Sequence, residues 1–204
     1  MQEHDPEWGQ TVPVWAAFGD LMSGLVGAFV LLLMGVMAVQ FDMASHLQQE
    51  IAKRQAAEQQ SKSLAKVLAV PLASGRITLQ NGRIGISGRL LFALNSDRVQ
   101  PEGRQLLHSL VAPLKTYLAE RNELLMVSGF TDDQGVLKGN RKFDDNLELS
   151  AQRALTVTRS LIEEGMPSNL VFAAAFGQEQ PLVPNNTEQN RSLNRRVELA
   201  PVPR

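Results

Sequence analysis

The chain has no cysteine. This absence excludes a disulfide framework, thiolate metal sites and a cysteine nucleophile. Its three histidines, His4, His46 and His108, are too scattered to suggest a metal site, and no HxxxH spacing occurs. Neither a GxSxG nucleophile elbow nor a GxxxxGK phosphate loop is present. A formal net charge of −1 gives no global argument for binding nucleic acid. These absences predict a protein that is not an enzyme and carries no catalytic residue, no metal and no cofactor. The last absence is local. No Lys or Arg occurs from Met1 to Phe41, and all 20 lie from Lys53 onward. The first forty residues and the remainder therefore belong to different surroundings.

What fills the cation-free stretch is "VWAAFGDLMSGLVGAFVLLLMGVMAV", residues 14–39, apolar with a single charge at Asp20. As a helix these 26 residues rise about 39 Å, enough to cross a bilayer core of about 30 Å. A buried core helix rarely runs so long and so apolar on every face. A cleaved signal peptide has a basic start, whereas "MQEHDPEWGQ" is acidic. The segment is expected to be an uncleaved membrane anchor. Charge bias alone would place its N-terminus outside, because Lys53 and Arg54 follow the span and no cation precedes it.

Asp20 has two readings. It lies six residues past Val14, about 9 Å along a helix axis, and could reach interfacial water. Alternatively it faces protein. Ala17, Asp20, Gly24 and Gly27 recur at helical spacings of three and four, with Ser23 and Ala28 beside them. Small residues on one stripe allow another helix to approach closely. Because an apolar setting disfavours a charged carboxylate, such a group can take up and release a proton.

Residues 40–72 read as a helical stalk, rich in Ala, Gln, Glu and Lys, with Pro71 and "ASG" (73–75) marking its end. A seven-residue pattern runs through Ala44, Leu47, Ile51, Arg54, Glu58, Ser61, Ala65 and Leu68, but its middle is too polar for a firm coiled coil. From about Ile77 strands and amphipathic helices alternate. "GRIGISGRLLF", "ELLMVSGF", "LVFAAAFG" and "RRVELAPV" read as strands. "QPEGRQLLHSLVAPLKTYLAER" reads as a helix with Leu106, Leu107, Leu110, Leu114 and Leu118 on one face, and "NLELSAQRALTVTRSLIEEG" as a second ending at Gly165. The expected fold class is α+β: one N-terminal transmembrane helix, a helical stalk, and an α/β sandwich with helices on one face of a sheet. The expected divisions are a 1–13 N-tail, a 14–39 span, a 40–72 stalk and a 77–200 domain.

Five blocks, "LLFALNSDRVQPEGRQLL", "VSGFTDDQG", "LELSAQRAL", "FGQEQPLVPN" and "NRSLNRRVEL", fall in the order of an OmpA-like domain, which the C-terminal region resembles. "WAAFGDLMSGLVGAFVLLLM" resembles the membrane helix of MotB-type stator subunits, with its W-x-x-x-x-D-L-M core, and "DNLELSAQRA" resembles the MotB version of its block. The resemblance implies that Asp20 carries the coupling ion. It implies that Asp132 and Arg153 hold the diaminopimelate of the peptidoglycan stem, with Thr131 and Asn146 lining the same pocket. An acidic side chain and a planar guanidinium match the ammonium and carboxylate of diaminopimelate. The alternative is that Asp132 and Arg153 bridge each other, or that Arg153 solvates a helix face. Arg195 and Arg196 are open to either a structural or a glycan-contacting role.

Three features depart from the resemblance. Asp132 and Arg153 are 21 positions apart, a longer loop than compact members carry. Phe130 stands where His or Tyr is common, and the N-tail is acidic rather than basic. Wall binding requires the C-terminal domain outside the inner membrane, so the resemblance implies a cytoplasmic N-terminus and a periplasmic domain. It further implies a homodimer, a polytopic MotA- or ZorA-like partner, and a segment past the membrane that could act as a plug. A flagellar stator and a ZorB-type phage-defence motor share this layout; the acidic tail and short stalk lean away from an ordinary flagellar stator. The competing reading is a plain tether between membrane and wall, which needs neither Asp20 nor its stripe.

Overall fold

The computed structural model describes residues 14–93, 96–136 and 142–204. The expected 1–13 tail lies outside the described residues. Helix α1 runs unbroken over Val14–Val67 and is the one described helix long and apolar enough to cross a membrane. Beyond its apolar part it carries ion pairs at helical spacing, Asp42–His46, Glu50–Lys53 and Glu58–Lys62, the last at 2.7 Å. Such pairs support a solvated helix. Two compact units divide at Arg54/Gln55.

In the C-terminal unit the short α2 (Ala69–Ala73) follows α1 and contains the buried Pro71. Gly75, at φ +68°, then turns the chain. Strands β1 (Ile77–Gln80) and β2 (Arg83–Ser87) form a hairpin. Its tip, Asn81-Gly82, has positive φ at both residues (52° and 74°), the two-residue turn that suits the twist of a hairpin. The stretch 82–92, expected as one strand, breaks at Ser87 into a helical turn, α3 (Gly88–Leu91). Gly88 explains the break. Its N–H donates to the Arg195 carbonyl at 2.8 Å, and a Cβ there would sit 2.7 Å from that oxygen.

Helix α4 (Pro101–Arg121) begins with proline at its first position and ends on Asn122 in the left-handed region. Its expected leucine face, Leu106 to Leu118, is buried. Strand β3 (Glu123–Phe130) leads through a loop to α5 (Asn146–Glu163), whose first turn is capped by the Asp145 carboxylate accepting from the Glu148 N–H. Strand β4 (Val171–Gly177), α6 (Glu188–Asn194) and β5 (Arg196–Pro203) complete the unit. The sheet order is β1-β2-β5-β3-β4, antiparallel except for the parallel β3–β4 pair.

Alternation along the strands divides the sheet. Ile84, Ile86, Leu125, Val127, Val197 and Leu199 join α4 and α5 in one core. Leu64 and Leu68, from the end of the stalk, are fully buried in the same core, worth about 1.5–3 kcal/mol each. The other face carries Phe130, Arg196 and Glu198. Arg196 lies over the Phe130 ring at 3.8 Å and donates to Glu198 at 2.6 Å. The fold is thus α+β, with a single transmembrane helix ahead of a mixed sheet domain.

Candidate functional site

The site forms where β3 ends. Thr131 and Asp132 follow the last strand residue, and both are buried although polar. Thr131 is fixed by its N–H, which donates to the Gly177 carbonyl at 2.8 Å. Asn146, the first residue of α5, donates its side-chain amide to the carbonyls of Asp132 (3.2 Å) and Gln134 (2.9 Å). It therefore holds the loop that presents the carboxylate. Gly129 lets this end of β3 press against α5, since a Cβ there would fall 2.1 Å from the Ser150 carbonyl oxygen.

Two turns into α5, Arg153 reaches the same space from below. It is only 8% exposed. Its Nε donates to the Ser96 carbonyl at 3.2 Å, and its guanidinium lies over the Phe92 ring at 5.1 Å. Burial and the neighbouring Arg195 push its pKa down, only partly offset by Asp132 and Asp97. Among the described residues no carboxylate pairs with it directly. Asp132 and Arg153 thus line one pocket without bridging each other, and Arg153 does not solvate a helix face.

The direct partner of Asp132 is Arg195, whose Nη1 donates to Oδ2. Arg195 also donates to Glu188 at 2.5 Å. Burial opposes its charge, but the bonds to Glu188 and Asp132 outweigh burial and hold its pKa above the ordinary value. Glu188, held by Arg195 and then Arg191, stays ionised below the usual carboxylate range. The adjacent arginines therefore split: Arg195 enters the site, while Arg196 is bound into the sheet face. Strand alternation explains the split, because Arg195 precedes β5 and Arg196 begins it. From the sequence either was a candidate, and Glu188 carried no signal of its own.

Together Phe92, Thr131, Asp132, Asn146, Arg153 and Arg195 line a pocket of about 610 Å³. These six residues offer one carboxylate, two guanidinium groups and an aromatic face, and Arg89 and Glu188 add one charge of each sign to the lining. That set suits a zwitterionic ligand carrying both carboxylate and ammonium. Asp20 is elsewhere, in the N-terminal unit, exposed on α1. A Cβ built on Gly24 or Gly27 would meet nothing within 4 Å, so the small-residue stripe is not used up by contacts among the described residues.

The five blocks and their convergence find a counterpart in the OmpA family, which matches residues 91–195. This chain belongs to the OmpA family. The chain is 33% identical over 115 residues to the outer-membrane lipoprotein YfiB of Pseudomonas aeruginosa, covering 56% of this chain and 63% of that protein. It is 38% identical over 73 residues to Motility protein B of Helicobacter pylori, covering 36% of this chain but 28% of that protein. The chain thus matches less than two thirds of the length of either relative. Among solved structures, a MotB-like protein of Desulfovibrio vulgaris superposes with a TM-score of 0.60 at 29% identity, over 78% of this chain and 99% of that one. The cell wall anchor of the T6SS from Pseudomonas aeruginosa superposes with a TM-score of 0.58 at 25% identity, over 67% and 94%. The chain is therefore MotB-like in its OmpA-family domain.

Proposed function

We infer that this chain is the wall-anchored subunit of an ion-driven inner-membrane motor. The OmpA-family domain binds peptidoglycan, and α1 conducts protons through Asp20 beside a polytopic MotA- or ZorA-like partner. In this reading the N-terminus is cytoplasmic, the C-terminal domain is periplasmic, and two copies of the chain act together. The observation that carries it is the juxtaposition in one chain of a MotB-like domain and a span whose single carboxylate lies on a stripe of small residues.

The chemistry follows from the groups. Protonation neutralises Asp20 and lets it pass an apolar partner surface; release on the other side resets the step. The wall pocket supplies the reaction point for force. Arg153 takes the carboxylate of the diaminopimelate stem as a charge-assisted, forked pair, and Asp132 takes the ammonium. Thr131 and Asn146 hold Asp132 at the right height. Arg195, which neutralises Asp132 in the free pocket, has Glu188 as a second partner when the ammonium arrives.

A second reading, a non-conducting tether between membrane and wall, is favoured by the likeness to a cell wall anchor. One substitution separates the two. Asp20→Asn leaves membrane insertion and binding to isolated sacculi intact, while proton flux in vesicles carrying the chain with its polytopic partner is lost. Flux equal to wild type would remove Asp20 as the carrier and leave the tether. Asp132→Ala should lose binding to sacculi without affecting insertion; full retention would sink the pocket assignment under either reading.

A further inference from the structure

Strand β4 is an edge strand, with β3 on one side and no strand on the other among the described residues. Its sequence, VFAAAFG, holds no charge and no proline. None of the backbone hydrogen bonds outside the regular ladders involves Phe172, Ala173, Ala174 or Ala175. The opposite edge is built differently. Strand β1 is four residues long and is bracketed in sequence by Arg76 and Arg83. Short length and flanking cations are ordinary guards against edge-to-edge pairing, and β4 has neither.

The order Phe172-Ala173-Ala174-Ala175-Phe176 reads identically in both directions. About a two-fold axis residue i faces j and j faces i, so in a strand that pairs with its own copy this order sets like residues opposite each other. We propose that β4 pairs antiparallel with β4 of a second copy of this chain, centred on Ala174. Phe172 then lies opposite Phe176 of the second copy, and Ala173 opposite Ala175. The faces agree. Phe172 and Ala174 register with Met126 and Ser128 of β3, on the side that carries Phe130. Phe176 stacks on Phe130 with ring centres 5.0 Å apart. Phe172, 40% exposed, would thus close onto an aromatic stack already formed in the other copy, a favourable cross-strand pairing.

Electrostatics raise no objection. In this register Asn169 faces Glu179 and Leu170 faces Gln178, so no like charges oppose each other. The ladder is short, because a one-residue shift against β3 makes Phe176 an extra residue and ends regular pairing there. Pairing is therefore weak between free domains and becomes substantial when both copies share one membrane, which raises their effective concentration. The inference holds whether the chain drives a motor or only tethers the wall.

The absence of native cysteine permits a clean test by single-cysteine cross-linking of the full chain in native membranes. Ala174→Cys sits on the axis, with Cβ atoms of the two copies about 5 Å apart, and should give a disulfide-linked dimer on mild oxidation. Phe172→Cys alone should not, because the two copies of that position are about 14 Å apart. Co-expressed, differently tagged Phe172→Cys and Phe176→Cys chains should link to each other. Lys115→Cys, on the exposed side of α4, reports random collision, and Ser45→Cys reports pairing through α1. The inference is overturned if Ala174→Cys remains monomeric, with or without linkage at Ser45. It is equally overturned if Ala174→Cys links no better than Lys115→Cys, or if Phe172→Cys links to itself as well as Ala174→Cys does.

Discussion

Arg153→Met is expected to separate binding from stability, and the structure says by how much. Arg153 is a buried cation with no paired carboxylate among the described residues; its fixed contacts are the Ser96 carbonyl and the Phe92 ring. Methionine keeps most of the apolar stem. Loss of the cation–π contact costs about 0.5–2 kcal/mol, and loss of the hydrogen bond about 0.5–1.5 kcal/mol. Against this, removing a desolvated charge for an apolar residue of similar volume recovers about 1–4 kcal/mol. The net change lies within about 3 kcal/mol of zero, a shift in Tm of at most about 12 °C for a unit of this size. Binding behaves otherwise. Truncating one member of a desolvated charge pair costs about 2–5 kcal/mol, or about 30-fold to several-thousand-fold in Kd. Calorimetric melting of the full chain in detergent, beside titration with a diaminopimelate-containing stem peptide, measures both. The reasoning is refuted if affinity stays within threefold of wild type. It is also refuted if affinity falls only together with a loss of 15 °C or more in Tm, which would make Arg153 structural.

Further substitutions test the supports of the pocket. Leu68→Ala should destabilise the C-terminal unit by about 2–5 kcal/mol, as expected for a fully buried leucine; denaturant unfolding should show this with membrane insertion unchanged. Gly129→Ala should cost about 1–3 kcal/mol or more, because the added methyl collides with backbone of α5 rather than with a movable side chain. Since Gly129 stands two residues before Thr131, sacculus binding should fall with it. Asn146→Ala should weaken binding while changing Tm by only a few degrees, because its amide holds the Asp132 loop rather than the core; unchanged affinity would remove it as a positioning residue.

Much of this was legible in the sequence, for identifiable reasons. The α4 leucines recur at helical spacing and all face the core. Thr131, Asp132, Asn146 and Arg153 belong to motifs, and the fold brings them around one pocket. Three features were not. The break at Gly88 depends on the Arg195 carbonyl, more than a hundred residues away. The burial of Leu64 and Leu68 is hidden in a stalk whose local pattern is mostly polar, so only tertiary packing reveals that the domain core recruits it. The division of labour between Arg195 and Arg196 turns on where β5 begins, a boundary that composition does not mark.

The most direct test of the central claim is gentle purification of the tagged full chain from native membranes, with mass spectrometry and copy counting of what accompanies it. The account predicts a polytopic membrane protein in excess over two copies of this chain. Recovery of the chain alone, or with peptidoglycan fragments only, would contradict the motor reading and leave a wall tether whose Asp20 carries no ion.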